Sequence, residues 1–553
     1  MVKITPNDGG SGGIFRPTSI TLDDTVAGAS AEFTYEPISS GPKTIGVTND
    51  QGALLKDPPS IAFDAVPVVL GIAGLRGWWK ADAITGVADG AILYSWPDSS
   101  GNGFTLPNAL GQPVFHLNKI NGLPAVGFGD PGMGGGVMES NSAPILAANA
   151  TGYAVFVVFQ TPVVDPTLHC VVGIGLSGSA VMLRRNGPDL EHYHMDGTGA
   201  NYAIVTKAGA FAAGAWRITS AVWDGNNMKA LLGGIFAGAK AAVGIGSTGT
   251  RMTIGDEAYV GNYWDGPVAE VIVYQAPLTG NDRNKVEKYL GQKYALPVAD
   301  VPAGVAGLQV WHRADSLGLT DGAPVPTWPD VSGHGFTATP TAATPVPPIF
   351  KVVNGLPAVR FTGTNDHLTS GFMLVDWSSP CTVFVVGAIN QPPANLAGNS
   401  GFLAVGYNAQ GVTIIARFDP SANKGTTWGT YAYFGGYLPA NEDLVVGAVN
   451  VFSGHSGGYQ SMVGRVFRNG VRKADVTDGT GGYDELANIY YNYGPQLWIG
   501  YVCACDVYEV LVYTGVLSDA DRQAIENYLL KKYNVVATRL REVLDVVEQR
   551  PTL

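Results

Sequence analysis

The chain of 553 residues is poor in charge: Asp, Glu, Lys and Arg make up 14% of it, where ordinary domains carry about 25%. Basic residues are the scarcer kind, 33 against 45 acidic ones, which leaves a net charge of −12. This excludes general binding to nucleic acid or anionic membranes, since both need basic patches to displace counterions or meet headgroups. Cysteine is nearly missing, with Cys170, Cys381, Cys503 and Cys505 the whole set. They do not recur at matching places in the repeats described below, so no shared disulfide framework exists. Cys503 and Cys505, two apart on a strand-like run, point to one face and cannot easily bridge each other. All four read as small buried residues or free thiols. No run of 18 apolar residues occurs, which argues against membrane insertion, and MVKITPNDGG has no basic segment leading into an apolar one. The expectation is a soluble chain without a Sec signal that, if it acts outside a cell, leaves by a leaderless route or in a virus particle released by lysis.

What is abundant is glycine, 74 residues, and proline, 35. With Val, Thr and Tyr common and Lys, Glu and Arg few, the composition reads as all-β with many turns. The length exceeds one ordinary core, and a prior of one domain per ~150 residues gives three or four, fewer if they are large β-sandwiches. A duplication decides the matter. AGLRGWWKAD, SWPDSSGNGF and NGLPAV, from Ala73 to Val126, return from Ala306 as AGLQVWHRAD, TWPDVSGHGF and NGLPAV. The closing blocks repeat as well: AEVIVYQAPLTGNDRNKVEKYLGQKYAL from Ala269 and YEVLVYTGVLSDADRQAIENYLLKKYNV from Tyr508. The copies begin and end alike and differ in the middle.

Residues 1–66 stand outside the duplication and show strand-like runs, FRPTSITL, SAEFTYEP, KTIGVTND and SIAFDAV. Phe33 and Tyr35 alternate with Thr34 and Glu36, the period of a half-buried strand. A sandwich this short is marginal alone and is expected to pack on a neighbour. In the first copy, residues 67–299, Trp78 and Trp79 must face opposite sides of the pleat. SWPDSSGNGF is a turn in which Asp98, Ser99 and Ser100 bond nearby amides. YAVFVVFQ reads as a strand buried on both faces, and AWRITSAVWDG with MKALLGGIFA as a hairpin around Gly225, Asn226 and Asn227. Each copy closes on one helix. Thr279 caps the first, with Val286, Tyr289 and Leu290 on its apolar face; Ser518 caps the second, with Asp521 at the third position. The second copy spans residues 300–536 after the short Pro-rich LPVADVPAGV. Residues 537–553 form a C-terminal amphipathic helix, with Leu540, Val543, Leu544 and Val547 on one side, too short to stand alone.

These blocks resemble laminin-G-like, concanavalin A-like jelly-roll domains of bacterial and phage surface proteins. The resemblance rests on L-x-x-W-x-x-A-D (Leu75, Trp78, Ala81, Asp82; Leu308, Trp311, Ala314, Asp315), on W-x-D-x-S-G-x-G (Trp96 to Gly103; Trp328 to Gly335) and on the E-V-x-V-Y and Y-L-x-x-K-Y closings. Residues 1–66 resemble a small immunoglobulin-like module through P-x-S-I-T-L, A-x-F-T-Y and G-x-K-T-I-x-V-T. The resemblance implies two tandem jelly-roll sandwiches, each ending in a short helix, after that module. It does not imply an enzyme, because the jelly roll hosts lectins, adhesion modules and hydrolases alike.

Glycan-cleaving enzymes on such sheets present carboxylates at E-x-D-x-E spacing on one strand face. Here the nearest approach is Asp189 with Glu191, without a third member, and the expectation is no enzymatic activity. His192 and His194 share one face of a strand and could share a metal, but no third ligand follows from sequence, and the simpler reading is a pair of exposed strand histidines. No cofactor is required; calcium is what the resemblance offers, through loop carboxylates, with Asp98, Asp330, Asp130 and Asp366 as candidates and turn stabilisation as the competing role. Glycan recognition needs exposed aromatics beside amides and hydroxyls, since sugar rings stack on flat π faces. The variable middles supply Tyr193 and Tyr202 in the first copy and Trp428, Tyr431, Tyr433 and Tyr437 in the second, the latter in TTWGTYAYFGGY. An inter-sheet core or a subunit contact is the alternative for these rings, and Trp96 and Trp328 read as core pins.

The expected protein is a non-enzymatic virion surface component, a phage fibre, decoration or receptor-binding part, with lectin-like domains. Its expected partners are other virion or surface-assembly subunits, host-surface glycans and further copies of itself in a homo-oligomer. A purely structural assembly protein and a secreted adhesin are the alternatives, with a polysaccharide-degrading enzyme behind them.

Overall fold

A computed structural model describes residues 2–7, 14–16, 20–22, 34–36, 41–49 and 61–65 of the N-terminal stretch. It then describes residues 68–300 apart from 130–135, 141–142, 148–149, 162–164, 176–180, 196–201, 243, 246–250 and 257–260. Of residues 301–535 it describes all but 341–345, 364–365, 371–379, 392–400, 406–411, 418–426, 433–435, 440–443, 457–463, 477–496 and 502. The fold is all-β, and pairings between its strands are antiparallel. The chain divides into two compact units, Met1–Asp300 and Val301–Leu553. Among the described residues no helix is long and apolar enough to cross a membrane.

In the N-terminal stretch, strands Ile20–Leu22, Val2–Asn7, Gly41–Asn49 and Ile61–Ala65 form one sheet in that order, and Ile14–Arg16 pairs with Thr34–Glu36. The sandwich of the first unit begins at Leu75–Lys80. Its first sheet runs Val114–Ile120, Leu123–Gly127, Pro267–Tyr274, Tyr153–Thr161, Ala215–Trp223, Asn227–Leu232, Ile235–Ala241, with Leu75–Lys80 also on Pro267–Tyr274. The second runs Tyr202–Lys207, Asp189–Met195, Val181–Asn186, Leu168–Ile174, Met252–Ile254, Val137–Ser140, Leu106–Leu110, Ser95–Trp96.

Tyr153–Thr161 is buried on both faces because it lies mid-sheet between two layers. Val155, Val157 and Phe159 meet the second sheet, while Ala154, Phe156 and Val158 meet the helix Gly280–Lys293 on the other side. Trp78 and Trp79 divide in the same way, Trp79 into the inter-sheet core and Trp78 under the helix. The helix is started by Thr279, whose hydroxyl accepts from the Asp282 amide, and it buries Val286, Tyr289 and Leu290. Each such side chain contributes about 1.5–3 kcal/mol by leaving water.

The second unit repeats this plan. One sheet runs Ile349–Val353, Leu356–Thr362, Ala504–Thr514, Cys381–Ile389, Asn450–Ser456, Gly464–Arg468, Val471–Val476, with Leu308–Arg313 on Ala504–Thr514. The other runs Ala338–Pro340, Leu368–Ser370, Leu497–Tyr501, Gly401–Val405, Val412–Arg417, Thr427–Ala432, Gly436–Pro439. Helix Asp519–Lys532 covers the first of these, with Ser518 accepting from the Asp521 amide. All four cysteines are free and buried, Cys503 and Cys505 together in the inter-sheet core. The C-terminal helix expected over 537–553 lies outside the described residues.

The closing signatures have a shared physical cause. Glu270 is fully buried and accepts from Trp78 Nε1 (2.6 Å), Lys293 Nζ (2.7 Å) and Tyr294 OH (2.8 Å). Lys293 also reaches Asp82 at 2.9 Å. In the second unit Glu509 accepts from Trp311 Nε1 (2.6 Å), Lys532 Nζ (2.6 Å) and Tyr533 OH (2.7 Å), and Lys532 reaches Asp315 at 3.1 Å. Burial favours the neutral amine of Lys293, but the Glu270 and Asp82 charges outweigh it and raise its pKa. This buried ion network pins the last turn of each helix to its sheet.

Candidate functional site

The site is built on the outer face of the second sheet of the first unit. Gly187, at φ +59°, opens a two-residue turn with Pro188, the conformation that lets Val181–Asn186 and Asp189–Met195 pair directly. Strand alternation then sorts the side chains. Leu190 enters the inter-sheet core, and so do His192 and His194, whereas Glu191, Tyr193 and Met195 point outward. Tyr202 follows on the edge strand, paired with Met195.

Tyr193 and Tyr202 stack with ring centroids 5.6 Å apart and planes at 13°. Tyr193 is buried beneath this stack, while Tyr202 is 63% exposed. The Arg184 guanidinium lies 4.9 Å from the Tyr193 ring and donates to Glu191 at 2.7 Å. Asn186 Nδ2 donates to the other oxygen of Glu191 at 3.0 Å. A flat π surface is thereby set beside a fixed array of guanidinium, carboxylate and amide. Asp189 does not join Glu191 as a second acid: it accepts from the Gly209 amide at 2.8 Å, and both Glu191 oxygens are engaged.

In the second unit Trp428 and Tyr431 lie on Thr427–Ala432 and Tyr437 on Gly436–Pro439, the same two strands at the sheet edge. Tyr431 and Tyr437 are register partners, and Trp428 pairs with Ala416. Tyr433 lies outside the described residues.

The histidine pair corrects an expectation. His192 and His194 are not exposed but inside the sandwich, because their strand turns this parity toward the core. His192 Nε2 meets Thr219 Oγ1 at 3.0 Å and His194 Nδ1 meets the Tyr153 hydroxyl at 3.0 Å. Burial pushes the His192 pKa down to about 3.

The calcium candidates divide. Asp98 accepts from the amides of Trp78, Ser100 and Phe104 and from the Ser100 hydroxyl, all at 2.8–3.0 Å. Asp330 repeats the pattern with Trp311, Ser332 and Phe336. These carboxylates brace a turn, and their lone pairs are directed at the backbone rather than at a cation. Asp366 is buried and accepts from the Thr362 amide at 2.5 Å; Asp130 lies outside the described residues. Asp98→Asn and Asp330→Asn should lower the melting temperature by several degrees, equally in calcium and in chelator, as calorimetry would show. A loss seen only with calcium present would make these residues ligands.

One cluster escaped sequence reasoning. Asp165, His169 and Asp265 bring ligand-type atoms within 4.8 Å of one another. The fully buried Arg185 lies in the same cluster, 3.3 Å from Asp165 and 3.2 Å from Asp265. Burial works to raise the Asp165 pKa, but Thr167 hydrogen bonds and the charges of Arg185 and His169 prevail and hold it at about 2. For Asp265 burial prevails and the pKa rises. The guanidinium supplies the positive charge a metal would bring, and the cluster is an ion network tying Asp165 and Asp265 to Arg185 on Val181–Asn186.

No family model matches the chain, and no curated protein matches it. Among solved structures, domain 4 of AbnA, a GH43 extracellular arabinanase from Geobacillus stearothermophilus crystallised with arabinotriose, is 14% identical. That match covers 39% of this chain and 97% of the other, at a TM-score of 0.28. The botulinum neurotoxin serotype D binding domain is 9% identical over 81% of this chain and 98% of its own, at a TM-score of 0.32. A heptameric SAP-like pentraxin from Limulus polyphemus is 17% identical over 24% and 66%, at 0.20. At this level of similarity neither ligand nor activity transfers.

Proposed function

We propose that this is a non-enzymatic surface protein whose jelly rolls bind carbohydrate on the outer face of the second sheet. The observation that carries the reading is the stacked Tyr193–Tyr202 pair, exposed at Tyr202 and flanked by Arg184, Glu191 and Asn186. A sugar ring stacks on such a π face, and its hydroxyls take the planar donors and acceptors at the edge. The tyrosine lost little rotamer freedom in being held there, because its partner ring already fixes it. The wider setting we propose is a phage particle or another surface assembly, in which the N-terminal stretch is an immunoglobulin-like module and the chain self-associates. Calcium has no part in this reading.

Glycan-array binding by the intact protein tests it. Tyr202→Ala should weaken binding of a retained glycan at least tenfold, the size expected for losing an aromatic stacking contact of about 1.5 kcal/mol. Trp428→Ala, on the other unit, should change a different set of glycans. Absence of glycan binding, with the protein recovered as an integral part of purified particles, would replace recognition by a purely structural role. Release of reducing ends from polysaccharide would overturn the non-enzymatic reading.

A further inference from the structure

The two units differ at one groove, between the last hairpin of the first sheet and the closing helix. In the first unit the hairpin turns at Gly233–Gly234, and residues 296–299 fill the groove. Ala299 N donates to Gly233 O (2.9 Å). Asn284 Nδ2 donates to Ala299 O (2.9 Å) and Lys288 Nζ to Val298 O (2.6 Å). The filling rests on Gly291, where a Cβ would lie 2.7 Å from Val298 Cγ2 and 2.9 Å from Leu296 O. The second helix carries Leu530 at the matching position, and there the groove is a cavity of about 390 Å³.

This cavity has a charged end and an uncharged one. At the first, Arg465 Nη1 lies 3.9 Å from Asp519 Oδ2, in the opening turn of the helix. At the second, the Asn469–Gly470 turn lies against the helix end: a Cβ on Gly470 would lie 3.6 Å from Leu530 Cδ1. Roughly 16 Å of helix separates Asp519 from Leu530 at 1.5 Å per residue. Three guanidiniums gather at the charged end. Arg522, 4% exposed, donates to Glu526 Oε2 (2.5 Å) and lies 3.6 Å from the centre of the Phe467 ring. Arg472 is the register partner of Phe467, and Arg465 that of His455. Burial together with the charges of Arg465, Arg522 and Arg472 lowers the His455 pKa to about 4, so the three charges converge on one place. Against them the lining sets the two carboxylates of Asp519 and Glu526, which leaves one positive charge over in a chain of net charge −12.

Toward the other end the chemistry of the helix face has changed. In the first unit Asn284 and Lys288 meet peptide carbonyls, which only accept, so an ammonium serves there. Their places in the second helix are taken by Gln523 and Asn527, exposed on the cavity wall. A carboxamide both donates and accepts, as a sugar hydroxyl does.

We propose that this cavity binds a carboxylate-bearing saccharide, its carboxylate among Arg465, Arg472 and Arg522 and its hydroxyls on Gln523 and Asn527. One carboxylate completes the charge balance of the lining, and the guanidinium fork is the group that holds a carboxylate in two parallel hydrogen bonds. The site is on the other unit from the Tyr193–Tyr202 pair and does not rest on it.

Calorimetric titration of the intact protein with trigalacturonate and with sialyllactose, each beside its carboxyl-reduced counterpart, tests the proposal. At least one acidic sugar should bind, and its reduced counterpart should bind about tenfold more weakly or worse, because the charge-assisted hydrogen bonds are lost. Arg472→Gln, at an exposed strand position, and Asn527→Trp, which fills the groove from an exposed helix position, should each weaken binding by about the same factor. Tyr202→Ala should leave it unchanged. In the complex the His455 pKa should rise, as imidazole NMR would show, since a bound carboxylate offsets the guanidinium charges. Binding of neither sugar, equal binding of the reduced counterpart, or an unmoved His455 overturns the proposal. Loss with Tyr202→Ala but not with Arg472→Gln also overturns it, and leaves the reading of the outer face standing. Tighter binding of tetraglutamate than of either sugar, lost in Arg472→Gln, would put a peptide in the cavity and overturn the saccharide.

Discussion

Glu270→Ala should destabilise the first unit by about 3–5 kcal/mol, the cost of breaking a buried ion pair by removing one partner. The size follows from what is left behind. The Trp78 Nε1 and Tyr294 hydroxyl lose their acceptor, and the Lys293 ammonium keeps only Asp82 at the rim. An unsatisfied buried donor costs about 1–3 kcal/mol and a buried charge more. Glu509→Ala should do the same to the second unit, where Trp311, Tyr533 and Lys532 converge on one carboxylate. Denaturant unfolding followed by tryptophan fluorescence measures both. The double change Glu270→Leu with Lys293→Met should cost less than Glu270→Ala alone, since it removes the charge together with its partner. A loss below 1 kcal/mol for Glu270→Ala would show that the network does not hold helix to sheet.

This network also marks where sequence reading stops. The caps and part of the turn at Asp98 were legible because they are local: a cap and its amide lie three residues apart, and Asp98 braces the Ser100 and Phe104 amides two and six residues on, while its bond to the Trp78 amide twenty residues back was not. Glu270 meets Lys293 and Tyr294 across a tertiary contact between strand and helix, so it stood alone in the sequence. The repeat held the missing signal, since Glu and the Lys-Tyr pair recur together in both closings. His192, His194, Tyr193 and Glu191 show a second limit. Alternation puts the histidines on one face and Tyr193 with Glu191 on the other, but it does not say which face is the core. Here the core took the imidazoles, which Thr219 and Tyr153 satisfy, and left outside the tyrosine that Arg184 covers. The Asp165, His169, Asp265 and Arg185 cluster draws on two loops and the paired strands Leu168–Ile174 and Val181–Asn186, and no spacing in the sequence brings Asp265 to the others.

The buried histidines make acid a lever on the stability of both units. Burial lowers the pKa of His312 and His367, and burial with the charges of Arg465 and Arg522 lowers that of His455 to about 4. In the first unit burial lowers that of His192 to about 3. A histidine near 6.5 in the unfolded chain and lower in the fold binds its proton only on unfolding as the pH drops between the two values. Its contribution to stability is therefore intact above pH 6.5 and is lost below it, by up to about 1.4 kcal/mol per pH unit for each such group. Asp165, held at about 2, works in the same direction but only once the pH falls below its unfolded value near 3.8. Between pH 6.5 and 4 these histidines govern, His312, His367 and His455 in the second unit and His192 in the first. Unfolding free energies of both units should fall from pH 7 through 5.5 to 4.5. His455→Leu should flatten the slope of the second unit by nearly one proton, and His192→Gln should do so for the first unit. A slope unmoved by His455→Leu in the second unit, or by His192→Gln in the first, would mean that these rings take up protons in the folded state and that their burial yields to solvent.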